Sequence, residues 1–382
     1  MKRVLFDYTY YQSGAFHGGG EYGDAVLDRL LSEQGEFGLF YLDSMKCRED
    51  WLEKCENRGW EIFSISEYKE LPELITEYRY DVLYSALPYQ PGRSGVILPD
   101  SVLYIATYHG MRELELMDYK SILQGELLGL RESEEYKVNL DFYDTVLRSA
   151  KNKKIITDSR HSKYSMLQYF PYLKESEIEV LYPPMKKTGV IAGDENGILT
   201  ELGIKTNNYA LIVSGGIYYK NALRTAIAYD RFFSRKAVCE TSYKVVITGV
   251  ENPNDILNAV ENKDRFLVLP YISSNLLEIL YKNTHTFVFP SINEGFGYPP
   301  LEAMKYGVFC MCAASSAITE ICGDMVLYFN PLFISEIENR ILQSFAEDIR
   351  KQYMEKQQAG LIRIHRRQQE DLEKLVKDIV ES

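Results

Sequence analysis

Residues 287–304, FVFPSINEGFGYPPLEAM, pass from a buried strand through a glycine-bearing loop into a helix whose start is marked by Pro299 and Pro300. Backbone N–H groups at a helix N-terminus have no partner within the helix, and they attract anions such as a diphosphate. Gly295 and Gly297 carry no Cβ, so the loop backbone can approach a ligand closely. The segment therefore predicts a phosphate-binding loop at the end of a strand.

Two carboxylates bracket this loop: Glu294 lies within it, and Glu302 lies in the predicted helix eight positions later. Carboxylates repel phosphates, but they accept hydrogen bonds from hydroxyls, which a sugar and a ribose supply. A site that offers hydrogen-bond donors to a phosphate and hydrogen-bond acceptors to hydroxyls predicts a sugar nucleotide as the ligand. The alternative interpretation is an ordinary strand–turn–helix corner whose glutamates are incidental.

The spacing Glu294-GFGYPPL-Glu302 resembles the E-x7-E signature of the retaining glycosyltransferases of family 4 (glycosyltransferase group 1), which have the GT-B fold. Three further segments resemble the same family: SSAITEICGDMVLYFNP at 315–331, LIVSGGIYYKNA with its Lys-Asn pair at 211–222, and TDSRHSKYSM at 157–166. The resemblance is continuous from residue 209 to residue 331. In the first half of the chain it is confined to short separate segments.

The resemblance implies the GT-B architecture, in which two Rossmann-like α/β domains with parallel sheets face each other across a cleft and the C-terminal helix returns to the N-terminal domain. Strand-like and helix-like segments alternate in both halves, which also favours parallel sheets covered by helices. We predict an acceptor-binding domain over residues 1–185, a sugar-nucleotide-binding domain over residues 186–350, and C-terminal helices over residues 351–382 that pack on the first domain.

Apolar runs and helical periodicity predict individual elements. In the second half we expect strands at 210–213, 244–248, 266–269, 286–289 and 308–312 and a helix at 222–233. In the first half we expect a helix at 25–31, preceded by the triple glycine of residues 18–20. The end of the chain predicts a charged helical tail that breaks near Gly360.

Composition restricts the class of protein. A chain of 382 residues fits two domains, and 46% hydrophobic with 26% charged residues is typical of a soluble globular protein. The formal net charge of −12 argues against a nucleic-acid binder. The six cysteines show neither a disulfide-scaffold nor a zinc spacing, so we expect reduced thiols. No apolar run is long enough to span a membrane and no signal peptide is recognisable, which predicts a cytoplasmic location.

Two small basic clusters interrupt the acidic composition: Lys151, Lys153 and Lys154, and Arg363, Arg366 and Arg367. We expect both to be solvated faces of the protein. The alternative is peripheral contact with the anionic inner surface of the cytoplasmic membrane.

The reaction that the resemblance implies is transfer of a sugar from a UDP- or GDP-sugar to a hydroxyl of a glycan or lipid-linked acceptor, with retention at the anomeric carbon, in the synthesis of a surface polysaccharide such as O-antigen or capsule. The developing charge on the diphosphate leaving group must be stabilised. Many enzymes use a metal held by an Asp-x-Asp pair, but this chain contains no such pair. We therefore expect neither a metal nor another cofactor.

By resemblance, Lys220 contacts the diphosphate of the donor, in a loop that also contains Gly215. Many members of the family carry an arginine where this chain has Gly216. Either phosphate binding depends more on Lys220, or another arginine such as Arg160 takes part.

The resemblance implies a role for each of the other candidate residues. Glu294 contacts the donor sugar, as nucleophile in a double displacement or as a neighbouring group in front-face attack. Glu302 accepts from the ribose hydroxyls. The remaining candidates from the resemblance are a base contact at Ile272, backbone contacts to the phosphates at Phe296, Gly297 and Tyr298, and a contact of His109 with the transferred sugar. Independently of the resemblance, the triple glycine predicts a phosphate- or acceptor-binding loop at Gly19 and Gly20.

Two other functions remain open at this stage. One is a sugar-nucleotide epimerase of the same two-domain fold, and the other is a carbohydrate- or nucleotide-binding protein without catalysis. A dehydrogenase is disfavoured because the triple glycine does not fit the G-x-G-x-x-G fingerprint of dinucleotide sites.

Overall fold

The computed structural model describes residues 2–14, 18–89, 94–116, 134–186, 193–214, 216–235 and 242–382. The chain divides into two compact units. Unit 1 comprises Met1–Lys186 together with Arg366–Ser382, and unit 2 comprises Lys187–His365. The last residues of the chain therefore belong to the same unit as the first.

Unit 1 is built on a parallel sheet whose described strands follow the order β3-β2-β1-β4-β5-β6-β7. The strands are β1 Arg3–Asp7, β2 Glu36–Leu42, β3 Glu61–Ile65, β4 Val82–Ser85, β5 Leu103–Tyr108, β6 Lys153–Thr157 and β7 Ile178–Val180. The helices are α1 Gly18–Leu30, α2 Glu49–Asn57, α3 Leu71–Glu77, α4 Arg112–Glu115, α5 Glu134–Arg148 and α6 Arg160–Tyr169.

Unit 2 repeats this plan with strand order β10-β9-β8-β11-β12-β13, again all parallel. Its strands are β8 Tyr209–Val213, β9 Lys244–Thr248, β10 Phe266–Val268, β11 Thr286–Phe289, β12 Phe309–Ala313 and β13 Leu327–Phe329. Its helices are α7 Glu195–Glu201, α8 Ala222–Phe233, α9 Asn254–Leu257, α10 Ser274–Asn283, α11 Tyr298–Met304, α12 Ile318–Cys322, α13 Ile334–Gln343 and the first part of α14 Glu347–Glu381. The predicted α/β class with two parallel sheets is confirmed.

Burial explains why these segments form strands and helices. Every residue of β11 and β12 is buried, as expected for parallel strands covered on both faces, and this produces their continuous apolar sequences. Helix α8 buries Ala226, Tyr229 and Phe233, which lie three and four residues apart on one face.

Helix α14 ties the end of the chain to the core of unit 1. Leu375, Val376 and Ile379 are buried in the same apolar cluster as the strands β1 and β2. The Arg29 guanidinium on α1 donates two hydrogen bonds to the Glu373 carboxylate, at 2.8 and 2.5 Å. These contacts make the end of the last helix, from Arg366 onward, an internal part of unit 1.

The expected break at Gly360 is wrong, because α14 continues through this residue from Glu347 to Glu381. A Cβ at Gly360 would lie 2.1 Å from Sδ of Met325, which is buried. Glycine is required here for the close approach of a side chain to the helix backbone and not for a turn.

Replacing Gly360 by alanine is therefore expected to destabilise unit 2, although alanine normally stabilises a helix interior by about 1 kcal/mol relative to glycine. Urea unfolding monitored by circular dichroism measures the change. The double variant Gly360→Ala with Met325→Ala should be less destabilised than the two single changes added together, because the shorter side chain removes the clash. Simple additivity, or a stabilised single variant, would contradict the packing explanation.

Candidate functional site

The site residues of unit 2 lie where its sheet changes direction. Strands β8 and β11 are neighbours, but β8 is followed by β9 on one side and β11 by β12 on the other. The connections after these two strands diverge and leave a crevice at their carboxyl ends, which is the usual ligand position in such sheets. Lys220 follows β8 and Glu294 follows β11, so both candidates flank this point.

Lys220 and Glu294 form an ion pair. Nζ of Lys220 lies 2.6 Å from Oε1 of Glu294. The lysine side chain is 20% exposed and the glutamate side chain 9%, so both are shielded but the lysine can still be reached from solvent. Nζ also lies 5.5 Å from the centre of the Phe289 ring, which offers its negative face to the ammonium group.

A serine pair holds the loop that carries Glu294. The backbone N–H of Glu294 donates to Oγ of Ser316 at 2.8 Å, and Oγ of Ser315 donates to the carbonyl of Ile292. Ser316 has a φ of +47°, a left-handed conformation that is unfavourable for serine and that the surrounding contacts must hold. Sequence reasoning did not assign these serines a role, although both lie in a segment that resembled the family.

The turn into α11 has fewer amide donors than its sequence first indicated. Gly297 has a φ of +99°, which only glycine adopts without strain, and it precedes the first helical residue, Tyr298. Pro299 and Pro300 have no backbone N–H, so two of the usual donors of a first turn are missing. Phe296 is buried beside Tyr298, with 5.2 Å between the ring centres.

Glu302 projects from α11 and is half-buried. Its Oε2 accepts a hydrogen bond from the hydroxyl of Tyr281 at 3.1 Å. Burial and then the Glu302 charge raise the pKa of Tyr281 well above its ordinary value, so this hydroxyl remains a donor. Ile272 lies between β10 and α10 and is half-buried.

The backbone after β8 explains why this chain has Gly216 where many members of the family carry an arginine. Gly215 lies outside the described residues. Gly216 has a φ of +68°, and a Cβ there would lie 3.0 Å from the carbonyl oxygen of Gly249. An arginine at this position would therefore be strained. Arg160, the other candidate, is an exposed residue at the start of α6 in unit 1.

His109 follows β5 in unit 1 and is held by two hydrogen bonds. Nδ1 lies 2.7 Å from Oδ2 of Asp158, and Nε2 lies 2.9 Å from the carbonyl oxygen of Ala86. Burial lowers the pKa of His109, but the charge and hydrogen bond of Asp158 outweigh it, so the pKa is raised above its ordinary value. Asp158 was not a sequence candidate, although it follows a buried strand in the same way as His109.

Gly19 and Gly20 lie in the first turn of α1, so the expected helix start at residue 25 is wrong. A Cβ at Gly19 would lie 2.9 Å from Cδ2 of Leu87, and Gly20 is buried. In this structure Gly19 permits close packing of α1 against the segment after β4.

Most of the charges in the two basic clusters are paired within the protein. The pairs are Lys151–Asp100, Lys154–Glu179, Lys154–Asp378, Arg366–Glu370 and Arg367–Asp371. Across the described part of the chain, no helix is both long and apolar enough to cross a membrane. The same residues contain no group of three or more His, Cys, Asp or Glu side chains placed to hold a metal ion.

The two α/β units, each with a parallel sheet, and the candidate site where the strand order of unit 2 reverses are those of the GT-B fold. Comparison with solved structures supports this fold. The glycosyltransferase from Rickettsia africae ESF-5 superposes with a TM-score of 0.68 at 14% identity, covering 100% of this chain and 99% of that one. Anabaena Alr3699/HepE in complex with UDP and glucose gives a TM-score of 0.67 at 14% identity, covering 98% and 100%.

Residues 199–359 match the family model of the glycosyl transferases group 1. The O-antigen chain mannosyltransferase B of Escherichia coli is 41% identical over 111 residues, 28% of this chain and 29% of that protein. The O-antigen chain mannosyltransferase RfbU of Salmonella typhimurium is 28% identical over 184 residues, 47% of each chain. The matches thus span less than half the length of these relatives. The predicted resemblance to glycosyltransferase group 1 is confirmed over residues 199–359.

Proposed function

We propose that this protein is a retaining glycosyltransferase that moves a sugar from a nucleoside-diphosphate sugar to a hydroxyl of a glycan or lipid-linked acceptor in the cytoplasm. The observation that carries the proposal is the Lys220–Glu294 pair at the switch point of unit 2, with Glu302 on the helix that follows. The group 1 family match over the same residues supports it. The mannosyltransferase names of the relatives favour mannose as the transferred sugar and an O-antigen-type polysaccharide as the product.

In this proposal unit 2 binds the donor. The Lys220 ammonium leaves Glu294 and contacts the diphosphate, where it stabilises the charge that develops as the bond to the anomeric carbon breaks. Glu294 then faces the sugar and accepts hydrogen bonds from its hydroxyls. Glu302, oriented by the Tyr281 hydroxyl, accepts from the ribose.

The acceptor belongs to unit 1 in this proposal, where His109 lies at the carboxyl end of β5. The bond between the anomeric carbon and the diphosphate breaks, and the acceptor oxygen forms the new bond on the face from which the diphosphate departs, which gives net retention. The departing phosphate takes the proton of the acceptor hydroxyl. Double displacement through Glu294 and front-face attack both satisfy this outcome. We propose that no metal is needed, because the positive charge of Lys220 stabilises the diphosphate leaving group in place of a metal cation.

A calorimetric titration with UDP, GDP and ADP and their sugar conjugates, mannose conjugates first, tests the proposal in the presence and absence of EDTA. We expect one nucleotide to bind selectively and equally well with EDTA. Lys220→Met should weaken this binding about 10- to 100-fold, since charged hydrogen bonds contribute about 1.5–3 kcal/mol. The matched control is Lys205→Met at an exposed lysine of the same unit, which should bind as the wild type.

The following outcomes would contradict the proposal. Absence of binding by all nucleotides would overturn the sugar-nucleotide site and favour a binding protein for another ligand. Complete loss of transfer with EDTA, restored by magnesium or manganese, would overturn metal independence. Epimerised sugar nucleotide without any acceptor product would favour the epimerase.

A further inference from the structure

The imidazole of His109 faces a hydrogen-bond acceptor at each of its two nitrogens. The backbone carbonyl of Ala86, 2.9 Å from Nε2, can only accept, so Nε2 must carry a proton. The ionised Asp158 carboxylate, 2.7 Å from Nδ1, accepts a second hydrogen bond from the ring, so Nδ1 also carries a proton. A ring that donates from both nitrogens is an imidazolium with a full positive charge.

The strand register explains why these two residues meet. Strands β5 and β6 are neighbours, and Tyr108 pairs with Thr157 at their carboxyl ends. His109 and Asp158 are the next residues of the two strands, so they leave the sheet side by side. The Asp158 side chain is 6% exposed, and within the part of the chain that the structure describes its Oδ1 has no hydrogen-bond partner. The hydrogen bond of the Asp158 carboxylate goes to His109 through Oδ2.

The other ionisable groups around the ring do not replace Asp158. Arg112 on α4 opposes the positive charge of the ring. Tyr22 on α1 packs edge-on, with 4.9 Å between ring centres, and its hydroxyl lies 3.1 Å from Oγ1 of Thr107. The hydroxyl of Tyr84 on β4 also lies against Oγ1 of Thr107, at 3.2 Å, and the Tyr89 hydroxyl makes a hydrogen bond with the backbone of His109.

We propose that Asp158 is a positioning residue that holds His109 as a fixed, doubly protonated cation for the glycosyl transfer. This inference rests on the proposed function. It means that His109 is not a general base, because neither nitrogen has a lone pair to accept a proton. The ring contributes its fixed positive charge to the reaction. Preorganised charges of this kind stabilise the opposite charge that develops in a transition state.

The charge state can be measured without any substrate. Ring proton and nitrogen shifts of the five histidines are followed by NMR as a function of pH, and His109→Asn identifies the His109 signals. We expect the wild-type ring to titrate above the ordinary value of about 6.5. Asp158→Asn keeps the shape but removes the charge. Burial, which lowers the pKa most, and the Arg112 charge are then opposed chiefly by the Ala86 carbonyl, so the midpoint should fall below that value. The matched control Asp144→Asn, at a surface aspartate of the same unit, should leave the midpoint unchanged.

Two results of this titration would overturn the proposal. One is an unchanged His109 midpoint in Asp158→Asn. The other is a wild-type ring with the nitrogen shifts of a neutral imidazole near pH 6, which would mean that Asp158 carries the shared proton.

The pH profile of transfer tests the positioning role. Because the charged ring is required, transfer should decline as pH rises through the His109 midpoint, and in Asp158→Asn this decline should move to lower pH. Asp158→Glu should restore part of the wild-type profile. A uniform loss of kcat with an unshifted profile would overturn positioning and leave a structural role. If the wild type transfers no sugar, the proposed function fails, and the NMR titration still decides the charge state of His109 independently.

Discussion

Glu294→Gln is expected to lower glycosyl transfer by roughly 10²–10³-fold while it tightens binding of the free nucleoside diphosphate about three- to tenfold. The two effects have opposite signs because Glu294 and the diphosphate compete for Lys220. In the wild type the lysine ammonium must leave a carboxylate 2.6 Å away before it contacts phosphate. Glutamine keeps the size of the side chain but removes the competing charge.

Steady-state transfer rates and calorimetry with the free nucleotide measure the two effects separately. Glu201→Gln, at an exposed glutamate at the end of α7, is the matched control and should change neither. Weaker nucleotide binding in Glu294→Gln would show that the carboxylate does not compete for the lysine. Wild-type transfer would remove Glu294 from the reaction.

Ending the chain at His365 is expected to unfold unit 1. The deletion removes Leu375, Val376 and Ile379 from the core, each at most 2% exposed. Burial of three such side chains contributes about 5–9 kcal/mol, which is comparable to the whole stability of a typical domain, about 5–15 kcal/mol. Trp51 and Trp60 are the two tryptophans of the chain and both lie in unit 1, so their fluorescence reports this unit alone.

A point variant makes the same test without shortening the chain. Val376→Asp places a charge in the core and should lower the urea midpoint of tryptophan fluorescence strongly. Lys377→Asp changes the adjacent exposed residue, whose ion pair with Glu381 is 3.7 Å long, and should cost at most about 0.5 kcal/mol. Equal midpoints for the two variants would show that the helix is not part of the core.

Elements with a strong pattern could be predicted from the sequence. The bounds expected for residues 244–248, 286–289 and 222–233 are those of β9, β11 and α8 in the structure. Strand β13 has three residues, which is too short to show any period, and it was missed. Helix α6 was also missed, because the serine cap at Ser159 accepts from the amide of Ser162 without the acidic residue that usually marks a helix start.

Site residues were predictable only as far as strand ends could be recognised. Lys220, Glu294 and His109 were singled out by the resemblance to the family, and each also follows a strand. Their partners depend on which strands are neighbours and in what register, and neither follows from the order of the sequence. The contact between Asp158 and His109 could be recognised only from the pairing of β5 with β6. The close approach of the Gly249 carbonyl, which excludes a side chain at position 216, likewise could be recognised only in the structure.

The return of α14 to unit 1 has a consequence for biosynthesis. A ribosome adds about 5–20 residues per second, so Lys187–His365 takes on the order of 10–35 s to make. During that interval the strands β1 to β7 of unit 1 have been synthesised, but the residues that complete their core have not. Unit 2 can finish folding first. The core of unit 1, although most of it is translated first, is thus the last to be completed. The nascent chain needs protection from aggregation until residue 379 has been synthesised.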